Sequence, residues 1–217
     1  MDFLELMRTR YTTKYYDASR TIPDEKLEAI LECLRLTPTA VNIQSTVALV
    51  ARTPEAKAKM RPGIKDFNLQ RFDAAPVALL LCGRCRISDE FIDTLVSQER
   101  ADGRLPTAEV VAERRVGMRA TADAHSAEGP TGLEAWTGKQ AYIALGTVMY
   151  AAKAQGIDST ALEGIDHARM DEIFNLRDEG LCAQVGVLLG YHAETDSNTL
   201  EKRPKSRLPL KAVCREL

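Results

Sequence analysis

Leu133-Glu134-Ala135-Trp136-Thr137-Gly138-Lys139-Gln140-Ala141-Tyr142-Ile143-Ala144-Leu145-Gly146-Thr147-Val148-Met149-Tyr150-Ala151-Ala152-Lys153-Ala154 reads as one long helix whose apolar residues are not confined to a stripe. Trp136, Tyr142, Ile143, Leu145, Val148, Met149, Ala151 and Ala152 spread over most of its circumference, so it has to be covered from several directions. Two covers fit this pattern. One is a second subunit, because a chain of 217 residues has limited depth; the other is the chain's own core.

Upstream of this helix, residues 88 to 100 and 107 to 124 read as two further helices separated by Asp102-Gly103-Arg104-Leu105-Pro106, a turn by composition. They are predicted to form an outlying helical lobe near 88–125. Val77 to Cys82 reads as a strand buried on both faces, and Thr46 to Ala51 as a shorter β-rich run. Thr53-Pro54-Glu55 caps a short helix. Thr21-Ile22-Pro23-Asp24-Glu25 opens another, with Thr21 as a capping residue and Leu27, Ile30, Leu31 and Leu34 at helical spacing; Pro38 closes it. Downstream, Ala183 to Leu189 reads as a further strand, followed by a polar tail and Pro204-Lys205-Ser206-Arg207-Leu208-Pro209. Strands and helices alternate throughout without repeat or linker, which predicts one domain over residues 1–217.

Lys and Arg number 29 against 31 Asp and Glu, a net charge of -2 that gives no overall field for nucleic acid or an anionic membrane. Any anion site must be local. The sequence Met1-Asp2-Phe3-Leu4-Glu5-Leu6 lacks the basic start and apolar run of a signal peptide, and no stretch reaches the roughly 20 apolar residues of a membrane span. Five scattered cysteines, an odd number, do not form a disulfide framework. A cytoplasmic protein with reduced thiols is expected.

Three constellations could carry chemistry. Arg8, Arg10 and Lys14 surround Tyr11-Thr12-Thr13 directly after the first helix, and these are phosphate-binding groups, although cations at a helix C-terminus also complement its dipole. Lys205 and Arg207 project from one side of an extended segment and could grip one anion, or could belong to a solvated basic tail. Leu162-Glu163-Gly164-Ile165-Asp166 reads as a strand-to-helix junction where glycine permits close backbone approach, or as a plain loop. Cys82-Gly83-Arg84-Cys85 has redox spacing but begins at a strand end, and its reading is structural. His125, His167 and His192 are too dispersed for a metal site, and no serine nucleophile elbow or glycine-rich phosphate loop is present.

Taken in order, Arg10-Tyr11-Thr12-Thr13-Lys14, Pro38-Thr39-Ala40-Val41-Asn42-Ile43-Gln44, Phe67-Asn68, Leu162-Glu163-Gly164 and Pro204-Lys205-Ser206-Arg207-Leu208-Pro209 resemble the nitroreductase family from end to end. The chain looks most similar to the oxygen-insensitive bacterial NAD(P)H nitroreductase and dihydropteridine reductase branch. Gln98-Glu99-Arg100-Ala101-Asp102-Gly103-Arg104 and Lys139-Gln140-Ala141-Tyr142 support that placement. The resemblance implies an α+β fold, with a mixed central sheet surrounded by helices, in an interlocked homodimer that holds two flavin mononucleotide (FMN) molecules at its interface. It implies that Arg10, Tyr11, Thr12, Lys205 and Arg207 bind the FMN phosphate and ribityl chain, and that Pro38, Thr39, Ala40 and Asn42 arrive from the partner subunit. Lys14 and Asn68 match positions near the pyrimidine edge of the flavin, where a cation stabilises the negative charge of the reduced ring at N1 and O2. Leu162 and the backbone of Glu163 and Gly164 would lie beside flavin N5, with Gln140 a further candidate. Val41, Phe67, Arg71, Arg104, Ala120 and Thr121 match positions linked to the nicotinamide or the acceptor.

The implied activity is hydride transfer from NADH or NADPH through FMN to nitroaromatics, quinones or pteridines, in a ping-pong cycle with no protein nucleophile or metal. The same fold serves other flavin reactions, including dehalogenation and flavin fragmentation, and a non-catalytic flavin-binding protein is the reading from a different class. Several residues depart from the family pattern. Tyr11 stands where His is common, Thr39-Ala40 replaces a serine pair, Ser45-Thr46 replaces Pro-Trp, and Ala161 replaces a proline. Ala120-Thr121 aligns with an aromatic pair that covers the substrate channel in close relatives, which implies a wider mouth here.

Overall fold

The run Val77-Ala78-Leu79-Leu80-Leu81-Cys82 is apolar at both alternating sets of positions, so a strand made from it needs a covering layer on each face. The computed structural model, which describes residues 2–216, supplies both layers. This segment is β2 (Val77–Arg84), flanked by β1 (Val47–Ala51) and β4 (Leu181–Gly190), with β3 (Asp158–Leu162) beyond β4 in the order β1-β2-β4-β3. All three pairings are antiparallel, and a bulge between Leu81 and Cys82 shifts the β2–β4 register. The sheet is mixed only through the parallel bridge Thr12–Ser159, which sets the chain after the first helix against β3.

Ala78, Leu80 and Cys82 face one layer, made with Met60 of α3 (Pro54–Met60), Phe72 of α4 (Asp66–Ala74) and Met170 of α8 (His167–Phe174). Val77, Leu79 and Leu81 face the other, made with Leu27 and Ile30 of α2 (Asp24–Arg35) and Ala141, Ala144 and Val148 of α7 (Gly132–Ala154). α5 (Asp89–Ala101) and α6 (Ala108–Ser126) pack around a further apolar cluster in which Ile92, Val96 and Met118 meet Trp136 and Ile43. The long helix is thus a core helix over most of its surface, yet Tyr142 and Ile143 remain 42% and 46% exposed on one flank. No helix among the described residues is long and apolar enough to cross a membrane.

Several boundaries differ from the sequence reading. The cap of α2 is extended Pro23, whose carbonyl accepts from Lys26 and Leu27, and Thr21 makes no cap. The same helix stops at Arg35, so Leu36 and not Pro38 ends it, with the Thr37 hydroxyl donating back to the Cys33 carbonyl. β4 begins at Leu181, two residues before the predicted start. Short helices precede and follow the chain's ends of regular structure, α1 (Phe3–Thr9) and α9 (Leu210–Val213). Cys82 is fully buried, and burial pushes its thiol up to about 12, which agrees with a structural role for the Cys82-Cys85 pair.

Candidate functional site

The first candidate centre is built where the two ends of the chain meet. Thr12 bridges Ser159, and the Thr13 amide donates to the Ser159 carbonyl, so this segment runs as an added edge to β3. The polar tail is fastened over it: Asn198 Nδ2 donates to the Thr12 carbonyl at 2.7 Å, and fully buried Asp196 accepts from the Lys14 amide. Lys205 then reaches back to donate to the Arg10 carbonyl. A cavity of about 290 Å³ opens between the two segments, lined by Arg10, Tyr11 and Thr12 on one side and Lys205, Ser206 and Arg207 on the other. The two cation clusters that stand almost two hundred residues apart in sequence share one cavity.

Its electrostatics are those of an anion cradle. The lining residues include four cations, Arg203 among them, and no carboxylate. Burial lowers the pKa of Lys205, and Arg10 and Arg207 lower it further. Burial likewise lowers that of Arg10, with Tyr150 opposing the shift and Arg207 adding to it. Cations that depress one another in a partly desolvated pocket favour a bound dianion, which reverses both effects.

A second centre surrounds the junction after β3. The Gly164 carbonyl accepts from the Lys65 amide at 3.0 Å and from Asn68 Nδ2 at 3.2 Å, which seats α4 against the junction. Glycine is required here for space: a Cβ would lie 2.1 Å from Asn68 Nδ2 and 2.7 Å from the Phe67 ring. Tyr142 donates to Glu163 Oε1 at 3.0 Å, and burial followed by Glu163 raises the pKa of that phenol. Phe67 is 73% exposed beside Gly164, a ring displayed to solvent. Arg71 lies one turn further along α4 and is half-buried.

The third group, residues 38 to 44, sits elsewhere. Val41, Asn42 and Gln44 have φ of 46°, 53° and 45°, three left-handed residues in one short turn, of which β-branched Val41 is the costliest. Gln140 Oε1 accepts from the Ala40 amide at 2.9 Å, so within this chain Gln140 is committed to the loop. Thr39 Oγ1 accepts from the Gln44 amide. This turn leads into β1, whereas the Arg10 and Gly164 centres lie beside β3 at the opposite edge of a four-stranded sheet. Three strand spacings, about 14 Å, separate those edges. The structure therefore brings Arg10, Tyr11, Thr12, Lys205 and Arg207 together, and Asn68 with Glu163 and Gly164, but leaves the turn from Pro38 to Asn42 apart from both, with Thr39 and Ala40 beside α7 and Val41 and Asn42 tied to the lobe. Arg104 is exposed at the α5–α6 turn, and Ala120 and Thr121 lie on α6, the Thr121 hydroxyl donating to the Gly117 carbonyl.

The model of the Nitroreductase family matches residues 7–191. The chain belongs to the nitroreductase family. It is 33% identical over 219 residues to an oxygen-insensitive NAD(P)H nitroreductase of Enterobacter cloacae, covering all of both chains. It is 30% identical over 204 residues to the major NAD(P)H-flavin oxidoreductase of Aliivibrio fischeri, covering 93% of this chain and 92% of that one. Among solved structures, a nitroreductase-family protein from Exiguobacterium sibiricum, determined in complex with FMN, superposes with a TM-score of 0.83 at 21% identity over 100% and 98% of the two chains.

Two residues of this nitroreductase-family chain escape a reading from sequence. Glu99 on α5 is only 3% exposed, and Arg114 on α6 grips both its oxygens, at 2.7 and 2.9 Å. Asn42 Nδ2 donates to Glu99 Oε1 at 2.7 Å, and Arg114 donates to the Val41 carbonyl at 2.8 Å. The bond from Arg114, with help from Asn42, holds the Glu99 carboxyl below its usual range. That contribution is complete at neutral pH and is lost as pH falls through the lowered value. Glu99 appears in sequence only as part of Gln98-Glu99-Arg100, and Arg114 inside Glu113-Arg114-Arg115, a string that otherwise marks a solvated helix face.

Proposed function

We propose that this chain binds FMN and catalyses hydride transfer from NADH or NADPH to small electron-poor acceptors. The convergence of Arg10, Lys205 and Arg207 on one cavity, with no carboxylate in its lining, carries the reading. The names of the Enterobacter and Aliivibrio relatives, and the FMN in the Exiguobacterium structure, support it. FMN supplies a ring nitrogen that takes up hydride and releases it again. The residues of this chain supply binding, orientation and charge. Arg10, Lys205 and Arg207 grip the phosphate, with Tyr11 and Thr12 beside it. With FMN bound, the Lys14 cation and Asn68 would stabilise negative charge at the pyrimidine edge, and the backbone of Glu163 and Gly164 would lie beside N5. Donor and acceptor occupy one place in turn, bordered by Phe67, Val41, Arg71 and Arg104.

The reading includes a homodimer in a cytoplasmic setting. The loop at Pro38, Thr39, Ala40 and Asn42 lies at the far sheet edge from the phosphate cradle, and the exposed flank of Tyr142 and Ile143 offers an apolar surface to a second copy. Purified protein is expected to be yellow, to bleach anaerobically on adding NADH, and to sediment as a flavin-loaded dimer. Double-reciprocal plots at several NADH concentrations are expected to be parallel. A colourless protein that gains no FMN on incubation rejects the cofactor, and a flavin-loaded monomer rejects the shared site.

Ala120 and Thr121 present a small surface on α6 in place of an aromatic pair. Ring contacts with flat acceptors contribute about 0.5 to 1.5 kcal/mol beyond burial. Replacing both residues by Phe is expected to tighten small nitroaromatics and exclude bulky quinones, while flavin reduction by NADH changes less. Steady-state kinetics over an acceptor size series, beside stopped-flow bleaching, separate the two steps. An equal shift for every acceptor means that these positions do not set acceptor size.

A further inference from the structure

The turn at Val41 and Asn42 has a conformation that its own residues disfavour. Left-handed backbone suits glycine, and a β-branched residue at φ 46° persists only where its surroundings impose it. Gln140 of α7 holds the Ala40 amide at its start, and the side chains that grip residues 41 and 42 come from the lobe. Arg114 of α6 donates to the Val41 carbonyl, and Glu99 of α5 accepts from the Asn42 side chain, while each is the other's ion-pair partner. A nearly buried carboxylate is costly unless it is paired and fully hydrogen-bonded, and Glu99 meets that condition through residues 42 and 114 alone. Its position therefore fixes the turn, and the turn fixes Glu99.

We propose that Glu99 and Arg114 are positioning residues that lock the Val41-Asn42 turn into the shape with which this chain completes the partner subunit's cofactor site. The proposal rests on the FMN reading above. With Nδ2 committed to Glu99 and its amide to the Thr39 carbonyl, Asn42 keeps its Oδ1 and its own carbonyl for the flavin. The same pair ties the two lobe helices to the loop, so the acceptor-lining lobe and the flavin edge move as one unit.

The test compares dimeric Arg114→Met, Glu99→Gln/Arg114→Met and Arg207→Ala proteins by titration with FMN and with riboflavin, which lacks the phosphate. Arg114→Met is expected to weaken both flavins by a similar factor, roughly tenfold, since it removes a charge-assisted bond. The double variant is expected to recover part of that loss, because it no longer buries an unpaired carboxylate. Arg207→Ala is expected to weaken FMN and spare riboflavin. If Arg114→Met does not fold, Arg114→Lys keeps the charge but loses the forked grip, and the same loss for both flavins is expected. Unchanged affinities with a lowered melting temperature overturn the positioning role and leave the FMN reading intact. Wild-type protein that binds neither flavin overturns both.

Discussion

Arg207→Ala is expected to weaken FMN binding by roughly ten- to a hundredfold, and Lys205→Ala by a similar factor, since each removes a charge-assisted phosphate contact worth about 1.5 to 3 kcal/mol. The two residues share the cavity with Arg10, and burial together with mutual repulsion holds the Lys205 pKa down. Removing one cation relieves the others, so the losses will not simply add; the double variant should still lie beyond either single one. Lys211→Ala, an exposed cation outside the cavity lining, should bind FMN normally. Fluorescence titration of apoprotein measures all four. Unchanged dissociation constants in both single variants reject the phosphate assignment.

Gly164→Ala is expected to destabilise the junction after β3. The new methyl would overlap the Asn68 amide and the Phe67 ring, and α4 cannot move away without breaking the Lys65 and Asn68 bonds to the Gly164 carbonyl. Overpacking costs about 1 to 3 kcal/mol, and leaving buried Asn68 unsatisfied costs about as much again. At about 2 to 4 °C per kcal/mol in a chain of this size, the melting temperature should fall by roughly 4 to 24 °C. Gly117→Ala is the control: it lies inside α6, a Cβ there meets nothing within 4 Å, and replacement should stabilise by up to ~1 kcal/mol. Gly164→Ala melting within a degree of wild type would mean that the junction is looser than its contacts require.

Where apolar pattern alone decides structure, the sequence was a sufficient guide. β2, α7 and the lobe helices lie where their periodicity places them, because each is dominated by burial of Val, Leu, Ile and Ala. β3 was marked only at its last residue. Its sequence, Asp158-Ser159-Thr160-Ala161-Leu162, is polar; the buried Thr160 hydroxyl bonds to Thr13 and Tyr16, and the Ser159 carbonyl accepts from the Thr13 amide, all distant in sequence. Such long-range satisfaction leaves no local signal. The same holds for the turn at Val41, where propensity argues against the observed backbone, and for Glu99, whose burial depends on an arginine from another helix. The phosphate cradle lies between these cases: each cation cluster is visible by itself, but their meeting follows from how the tail folds back over β3.

The position of that tail also couples the grip to the seating of the chain's last segment. The last sheet strand ends at Gly190, and both apolar layers are complete by Tyr191, whereas Lys205 and Arg207 follow later in the chain. Chains emerge N-terminus first and domains fold as they emerge, so the core can close around an Arg10 that has no companion cations. A phosphate-bearing ligand then meets a full grip only after the scaffold has formed. On the proposed reading, a ligand gripped there ties the two ends of the chain together, so loading and seating of the tail favour one another.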